Sequence, residues 1–431
     1  MPSVGASRVK WPGGGRQFLR TLYTPGFGRV WTGSMFFYAA RWMELFVLQW
    51  QVLVMTDSPF QVSLVGFYRM VPLFLFGAVT GLIADRFDRR RVVLFAQAWN
   101  GTAAAAVAGL ALADRLDMKY LAVLVLALGF GWALDLPSRR SFIYDMMGPR
   151  RVINALALDQ MGMDGGKMLG PLLGGMLWPV VGVGGCFLIL AAGYGVNLLL
   201  YRGLPPAEPK AAVSTHSVRR NLAEGLGYVI HNPVILGVLA VTVVLNFLGF
   251  PYQNLVPVVA KDVLGLGPRL TGLLVATEGF GAVCVALFIA SRRRVAPRRR
   301  VFVLASILIL GTVLLFSFSR WTWLSFLLLF ISGGCISGFA TMQSGLILVG
   351  ASDAMRGRAM GTLILAIGFG PLGALLIGGL ASIVGAPIAI TATVGASLLL
   401  LGGILWWNPA LWRSGIEAGP AVTTPANAPA A

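Results

Sequence analysis

From residue 27 onward, apolar stretches of about 18–25 residues recur with short polar turns between them, each long enough to cross roughly 30 Å of hydrocarbon as a helix. They lack the strict alternation of apolar and polar positions that marks a half-buried strand, and only helices or closed barrels satisfy their own backbone in lipid. The pattern predicts an all-α integral membrane protein with twelve spans near 27–54, 61–84, 92–113, 119–138, 153–179, 183–201, 233–257, 270–291, 301–319, 321–349, 359–383 and 385–407. A single long polar interruption, 202–232, separates six spans from six. It opens with the Pro-rich RGLPPAEPK and passes into VRRNLAEGLGYVIHNP, where Val218, Leu222, Leu226 and Val229 keep a helical apolar spacing suited to a membrane surface. His216 and His231 lie in this segment and read as solvated or interfacial.

The expected organisation is thus an N-terminal six-helix half (1–201), a cytoplasmic linker with an amphipathic helix (202–232), a C-terminal six-helix half (233–407) and a disordered, low-complexity tail (408–431). The halves repeat weakly. LLGGMLWPVVG (172–182) matches LLIGGLASIVG (375–385), with Gly174 and Gly175 opposite Gly378 and Gly379. Two halves related by a repeat place a transport site between them near the midplane.

Composition supports the membrane assignment, since a chain 57% hydrophobic and 12% charged has too few polar residues to cover a water-soluble surface. The net charge of +18 raises nucleic acid as a partner, but its distribution argues otherwise. With the N-terminus inside, the cytoplasmic segments collect Arg8, Lys10, Arg16 and Arg20, then Arg86, Arg89, Arg90, Arg91, Arg139, Arg140, Arg150, Arg151, Arg202, Lys210, Arg219, Arg220, Arg292–Arg294, Arg298–Arg300, Arg356, Arg358 and Arg413. The opposite side holds Arg115, Lys119, Lys261, Arg269 and Arg320. That asymmetry is the positive-inside rule and predicts that both termini are cytoplasmic. The basic start runs into no short apolar stretch with a small-residue cleavage site, so the first span is expected to be retained. Cys186, Cys284 and Cys335 fall far apart inside spans, which signals neither a disulfide framework nor a thiolate metal site.

GLIADRFDRRRVVL (81–94) resembles the G-x-x-x-D-R-x-x-R-R signature of the major facilitator superfamily, with Gly81, Asp85, Arg86, Arg89 and Arg90 in the matching positions. Asp88 stands where the signature usually has a glycine, as in the drug- and siderophore-exporter branch of enterobactin-exporter-like permeases. PRRVINALALDQMGMDGGKMLGPLLGG, NPVILGVLAV, LVPVVAKDVLGLGP and MRGRAMGTL resemble further segments of that branch, so the resemblance covers nearly the whole chain. It implies a twelve-helix transporter fold whose cytoplasmic turns, including Arg356 and Arg358, act as a gate. GKMLGPLLGG matches the G-x-x-x-G-P-x-x-G-G pattern associated in the superfamily with antiport-type exporters, carried here by Gly166, Gly170, Pro171, Gly174 and Gly175. Gly162, Gly166, Gly170 and Gly174 also form one helical stripe that lets a neighbouring helix approach, and Pro171 removes a backbone donor and is expected to bend the helix.

Charges inside spans form the candidate substrate and proton pathway. A charged side chain at the bilayer centre costs about 2.5–3.5 kcal/mol on insertion scales, so each needs a partner or water. Asp159 projects onto the glycine stripe, while Asp164 and Lys167, spaced i and i+3 on an adjoining face, are close enough to pair. Arg41 and Glu44 have the same spacing, Arg69 lies in the second span and Asn246 in the seventh. Glu278 has no basic residue at i±3 or i±4, so its partner must come from another helix. Asp135 and Arg139 read as a structural pair. These residues point to a proton-coupled exporter of an amphipathic small molecule, such as a drug, siderophore or secondary metabolite, working by alternating access. Glu278 or Asp164 carries the proton in that reading, and Lys167 or Arg69 competes for the carboxylate.

An uptake permease or a lysolipid translocator of the same fold is the alternative, and a non-transporting receptor is disfavoured because the chain has no long soluble loops. No P-loop, HExxH or GxSxG occurs, so neither nucleotide-driven transport nor an enzyme is expected. Carboxylate-based metal export stays as a minor alternative. The expected partners are a small-molecule substrate, protons and membrane lipids, with no cofactor, no resident metal and no nucleic acid, in a monomer.

Overall fold

Several of the described turns between spans carry a residue suited to end one helix or begin the next. In the computed structural model, which describes residues 21–24, 26–204, 218–291, 299–352 and 355–412 except for the side chains at 78, 81, 82, 84, 85, 149, 150, 153, 218–223 and 290, helix α1 (Phe27–Thr56) stops where Asp57 turns left-handed at φ 47°. Ser58 then accepts a hydrogen bond from the Gln61 N–H and Pro59 opens α2 (Pro59–Arg86), an N-cap followed by the residue that needs no N–H there. Asp88, the departure from the signature, caps α3 (Arg89–Leu112) by accepting from the Arg90 N–H at 3.0 Å.

Continuous hydrogen bonding from Met118 to Arg202 is divided by Gly148 and Gly182, both at φ 66°, into α4 (118–147), α5 (149–181) and α6 (183–202). Only glycine takes such a backbone without strain. Gly385, in the position that the internal repeat aligns with Gly182 to within one residue, turns at φ 83° between the last two spans. The repeat seen in the sequence therefore includes a shared turn geometry.

The surface helix α7 (Val218–Ile230) leads to Asn232, whose side chain caps α8 (Pro233–Asp262). Next come α9 (Pro268–Ser291), α10 (Arg299–Phe318), α11 (Thr322–Gly350), α12 (Arg356–Val384) and α13 (Ala386–Trp407). Among the described residues, ten helical stretches are long and apolar enough to cross a membrane. One of them, 154–202, folds back at Gly182, and α1 adds 30 residues that carry Arg29, Arg41 and Glu44, so the described residues hold twelve helices of membrane length. Large apolar side chains face outward, as lipid requires: Val180 is 69%, Leu199 67% and Leu399 79% exposed. Trp321, Trp323, Trp406 and Trp407 are exposed at helix ends, as in an interfacial aromatic belt.

The glycine stripe of α5 does what its spacing predicts. A Cβ on Gly166 would sit 2.6 Å from Tyr38 Cβ and 2.7 Å from its carbonyl carbon, and one on Gly170 would sit 2.6 Å from both the Ala39 oxygen and the Met43 nitrogen of α1. Gly174 meets Phe46 and Val47 of the same helix. Because backbone atoms cannot rotate aside, Gly170→Ala is expected to cost about 1–3 kcal/mol and lower the thermal midpoint of the purified protein by several degrees. An unchanged midpoint would contradict the close α1–α5 seam.

The linker helix α7 docks on α12, and of the four residues of its proposed apolar face only Leu226 and Val229 have described side chains. Val229 is buried, Gly225 lies against the Arg358 carbonyl of α12, and Glu224 pairs with Arg358 at 2.7 Å, whereas Leu226 is half exposed. The N-terminal basic cluster (1–20), residues 205–217 with His216, the arginine run 292–298 and the tail from 413 onward lie outside the described residues. His231 is exposed and its Nδ1 lies 2.7 Å from the Gly227 carbonyl oxygen.

Candidate functional site

A cavity of about 360 Å³ opens about midway along the helices, between the two halves. Arg41, Trp42 and Phe46 of α1, Arg69 and Met70 of α2, Trp132 of α4 and Lys167 of α5 form one wall. Asn246, Phe250 and Gln253 of α8, Glu278 of α9 and Pro371 of α12 contribute to the other. Of the eight residues proposed for the pathway, Arg41, Arg69, Lys167, Asn246 and Glu278 face this space, while Glu44 stands behind Arg69 and Asp159 and Asp164 lie off the wall.

Two expected pairings are replaced by others. Glu44 pairs with Arg69 at 2.6 Å rather than with Arg41, and both side chains are fully buried. Its second oxygen accepts from the Tyr194 hydroxyl at 2.6 Å. The i, i+3 spacing brings Arg41 near, but a guanidinium from α2 reaches the carboxylate directly, and Arg41 instead lies flat over the Trp132 ring, 3.3 Å from its centroid. Lys167 likewise passes over Asp164 and reaches Glu278 on the opposite half at 3.3 Å. Asp164 accepts from Gln160, one turn back on its own helix, at 3.2 Å. As its lack of intrahelical partners required, Glu278 takes its cation from another helix.

The surroundings of Glu278 follow from an irregular stretch of α8. The helix widens to a π turn at Leu245–Gly249 and tightens to a 3-10 turn at Phe250–Asn254, where Pro251 brings no N–H. In a regular helix three consecutive side chains spread over about 200°. Here Tyr252 and Gln253 both donate to Glu278 Oε1 at 2.8 Å, and Asn254 accepts from Gln49 of α1 at 2.9 Å. Broken backbone of this kind is tolerated at membrane depth where it lines a cavity. Asn246 sits in the π turn and donates back to the Thr242 carbonyl at 2.9 Å.

Glycines press α9 between two neighbours and so fix where Glu278 points. A Cβ on Gly279 would lie 2.5 Å from the Met168 nitrogen of α5, and Gly333 of α11 packs against the Glu278 backbone on the other side. Nearer the arginine-poor end, Gly175 of α5 and Gly272 of α9 face each other directly; a Cβ on Gly175 would lie 2.6 Å from the Pro268 oxygen and 2.9 Å from Gly272 Cα. On the same side of the cavity, Lys261 meets Asp57 at 2.5 Å and Gly378 of α12 abuts Ser63 of α2.

The gate residues at the arginine-rich end make contacts within a half. Arg89 pairs with Asp145 of α4, and Arg90 donates to the carbonyls of Tyr201 and Arg202 at the end of α6. Arg91 is almost fully exposed, with Asp88 at 3.7 Å, and Arg86 is exposed. Arg356 donates to the Leu348 carbonyl at 2.9 Å, and Arg358 ties α12 to α7. Gly81 and Asp85 belong to α2, but their side-chain positions lie outside the described residues.

Asp159 accepts from the Tyr38 hydroxyl at 2.8 Å, inside a buried network of the first half. That network includes the Asp135–Arg139 pair, Gln97 donating to Asp135 at 3.1 Å and Asn197 donating to Gln97 at 3.1 Å. The Asp135–Arg139 pair is as its i, i+4 spacing predicted. Sequence reasoning missed Tyr194, Tyr252, Gln49, Gln253 and Trp132 as site residues, although each is a polar or amphipathic side chain inside a span, which is the signal that applied to the charges.

Comparison with known proteins decides the family. The transmembrane secretion effector family matches residues 19–422. The chain belongs to that family. It is a multi-pass membrane transporter of the major facilitator fold, not an enzyme. The enterobactin exporter EntS of Shigella boydii serotype 18 is 27% identical over 362 residues, 82% of this chain and 85% of the relative, and EntS of Escherichia coli O81 gives the same values. Among solved structures, a bacterial homologue of the human lysosomal transporter Spinster in an inward-facing, unoccupied conformation superposes with a TM-score of 0.71 at 15% identity, covering 91% of this chain and 99% of that one. The nucleoside transporter NupG superposes at 0.72 with 13% identity, covering 90% and 100%. Both support the fold.

Proposed function

We propose that this transporter is a proton-coupled exporter, an antiporter that expels an amphipathic small molecule such as a drug, siderophore or secondary metabolite from the cytoplasm of a bacterium across the inner membrane. It works as a monomer within the lipid bilayer. The observation that carries this reading is the Lys167–Glu278 ion pair, which joins the two halves on the wall of the midplane cavity. A carboxylate that a proton can neutralise, placed where it ties the halves together, links protonation to their relative movement. When Glu278 takes a proton, the charge that holds Lys167 is gone and the halves lose that tie. When it releases the proton, Lys167 is attracted back.

The charge asymmetry supports assigning the arginine-rich end, and with it both termini, to the cytoplasm. On that assignment the Lys261–Asp57, Gly175–Gly272 and Gly378–Ser63 contacts close the outer end, and the cavity belongs to a conformation loaded from inside. The arginines at the turn after α2 then hold the cytoplasmic ends of α3, α4 and α6 as one body while that body rocks. Export agrees with the α5 glycine and proline pattern and with the similarity to the enterobactin exporter EntS.

Inverted membrane vesicles test the proposal. Vesicles given an acidic interior are expected to accumulate a compound that the expressing strain expels, with enterobactin and a panel of hydrophobic drugs tried first, and to lose it when a protonophore collapses the gradient. Accumulation confined to right-side-out vesicles would make the protein an uptake permease, and accumulation indifferent to the protonophore would remove the proton.

A further inference from the structure

We infer that Arg41 and Arg69 anchor an anionic oxygen group of the substrate, which makes the transported class amphipathic organic anions that carry a flat ring. The inference deepens the transporter reading above and rests on it. At this end of the cavity two guanidinium groups meet one carboxylate. Glu44 is already engaged, since Arg69 and the Tyr194 hydroxyl each take one of its oxygens at 2.6 Å, and Arg41 makes no hydrogen bond to it. Glu278 is engaged across the cavity by Lys167, Tyr252 and Gln253, and Asp164, a turn away from Lys167, takes its bond from Gln160. Among the described residues that line the cavity, Arg41 is the cation left without an ion pair.

Its geometry is that of a held but unsatisfied donor. The guanidinium lies over Trp132, its Nη2 reaches the Met70 sulfur at 3.9 Å, and its buried Nη1 has no hydrogen-bond partner among the described residues. Arg69 is 2% exposed, and its Nε and Nη1 also lack partners although Nη2 serves Glu44 and the Arg41 carbonyl. Buried donors of this strength without acceptors are costly, and a planar fork matches the two oxygens of a carboxylate or similar group. Both arginines line the cavity, whose wall also includes the aromatic side chains of Trp42, Phe46, Trp132 and Phe250, suited to an aromatic or other flat apolar body beside the charged group.

The test uses three probes of one shape, 1-naphthoate, 1-naphthylmethylammonium and 1-naphthylmethanol. Each is bound at equilibrium to the full chain in phosphatidylcholine nanodiscs, with empty nanodiscs subtracted. The anion is expected to bind at least about 10-fold more tightly than the cation. Arg41→Gln is expected to weaken 1-naphthoate about 10-fold or more while the neutral alcohol stays within about 2-fold, and Arg41→Lys is expected to restore part of the loss. A wild-type protein without charge preference, an undiminished preference in Arg41→Gln, or equal loss of all three probes in that variant would each overturn the assignment. So would tighter binding of dihexanoylphosphatidylglycerol than of 1-naphthoate, which would give the site to a lipid headgroup. These readouts need no transport: absent pH-driven flux with the anion preference intact removes the proton-exchange reading alone. PH-driven flux of a cation, without an Arg41-dependent preference, removes this one alone.

Discussion

Glu278→Gln is expected to reduce pH-gradient-driven flux by about 100-fold or more, equivalent to roughly 2.7 kcal/mol, while exchange of substrate across vesicles at equal pH continues. The amide keeps the size of the carboxylate and an oxygen for Tyr252 and Gln253, so the cavity wall stays built. It cannot ionise, and its NH₂ faces Lys167 as a second donor where a carboxylate oxygen lay at 3.3 Å. The variant therefore imitates the protonated carrier permanently and has no proton to exchange. Lys167→Met approaches the same state from the other side, because a buried carboxylate that loses its cation is destabilised by about 3–5 kcal/mol in the ionised form and holds its proton instead. Asp164→Asn serves as the contrast. Its carboxylate is bonded to Gln160 and lies off the cavity wall, so coupling should survive. The measurement is substrate-induced proton movement in reconstituted vesicles. Full coupling in Glu278→Gln, and above all its loss in Asp164→Asn instead, would sink the assignment of the proton to Glu278.

How far this site was legible in the sequence depends on the range of the interaction. Span positions followed from hydrophobic length alone, and most observed helix ends fall within a few residues of those predicted, because the bilayer imposes one thickness on every span. The larger exception is α4, which continues to residue 147 beyond its predicted end at 138, since Arg139 and Arg140 at a helix end need not stop it. Local spacing also gave the close-packing glycine stripe of α5, though not that α1 is its partner, and the Asp135–Arg139 pair, both being properties of one helix face. It failed where a neighbouring helix offered a better partner. Arg41 and Glu44, and Asp164 and Lys167, stand three residues apart, yet Arg69 and Glu278 take Glu44 and Lys167 from them. A buried ion prefers the partner with which it shares the least water, and helix spacing says nothing about that. The π and 3-10 turns in α8 were hidden for a similar reason: Pro251 announces an interruption but not which side chains it turns inward. One cue was available and passed over. Gly272 and Gly279, seven residues apart, share a face of α9 just as the α5 glycines share theirs, and that face meets α5.

That second seam yields the other large effect. Gly272→Val is expected to leave the fold intact, abolish transport and shift the protein toward a conformation open at its arginine-poor end. A Cβ at 272 would meet the Pro171 oxygen and stand 2.8 Å from Gly175 Cα, both backbone atoms of α5 in the opposite half. No rotamer relieves such a clash, so the helices must separate there. Gly166 and Gly170 face α1 within one half, where separation means unpacking the core of that half, but the α5–α9 contact joins two bodies that are meant to part. Overpacking at about 1–3 kcal/mol would thus fall on the closed state only and change the ratio of the two states by roughly 5- to 150-fold. Spin labels on Val180→Cys and Ile383→Cys, at exposed positions near the same end on the two halves, read the separation directly once Cys186, Cys284 and Cys335 are replaced. The interlabel distance should lengthen in Gly272→Val with a thermal midpoint close to that of the labelled parent. Gly175→Val should do the same from the other helix, since its Cβ would press on the Pro268 oxygen. A drop in midpoint as large as that of Gly170→Ala with no change in distance would show instead that the α5–α9 seam is permanent core, and that the two halves move about some other contact.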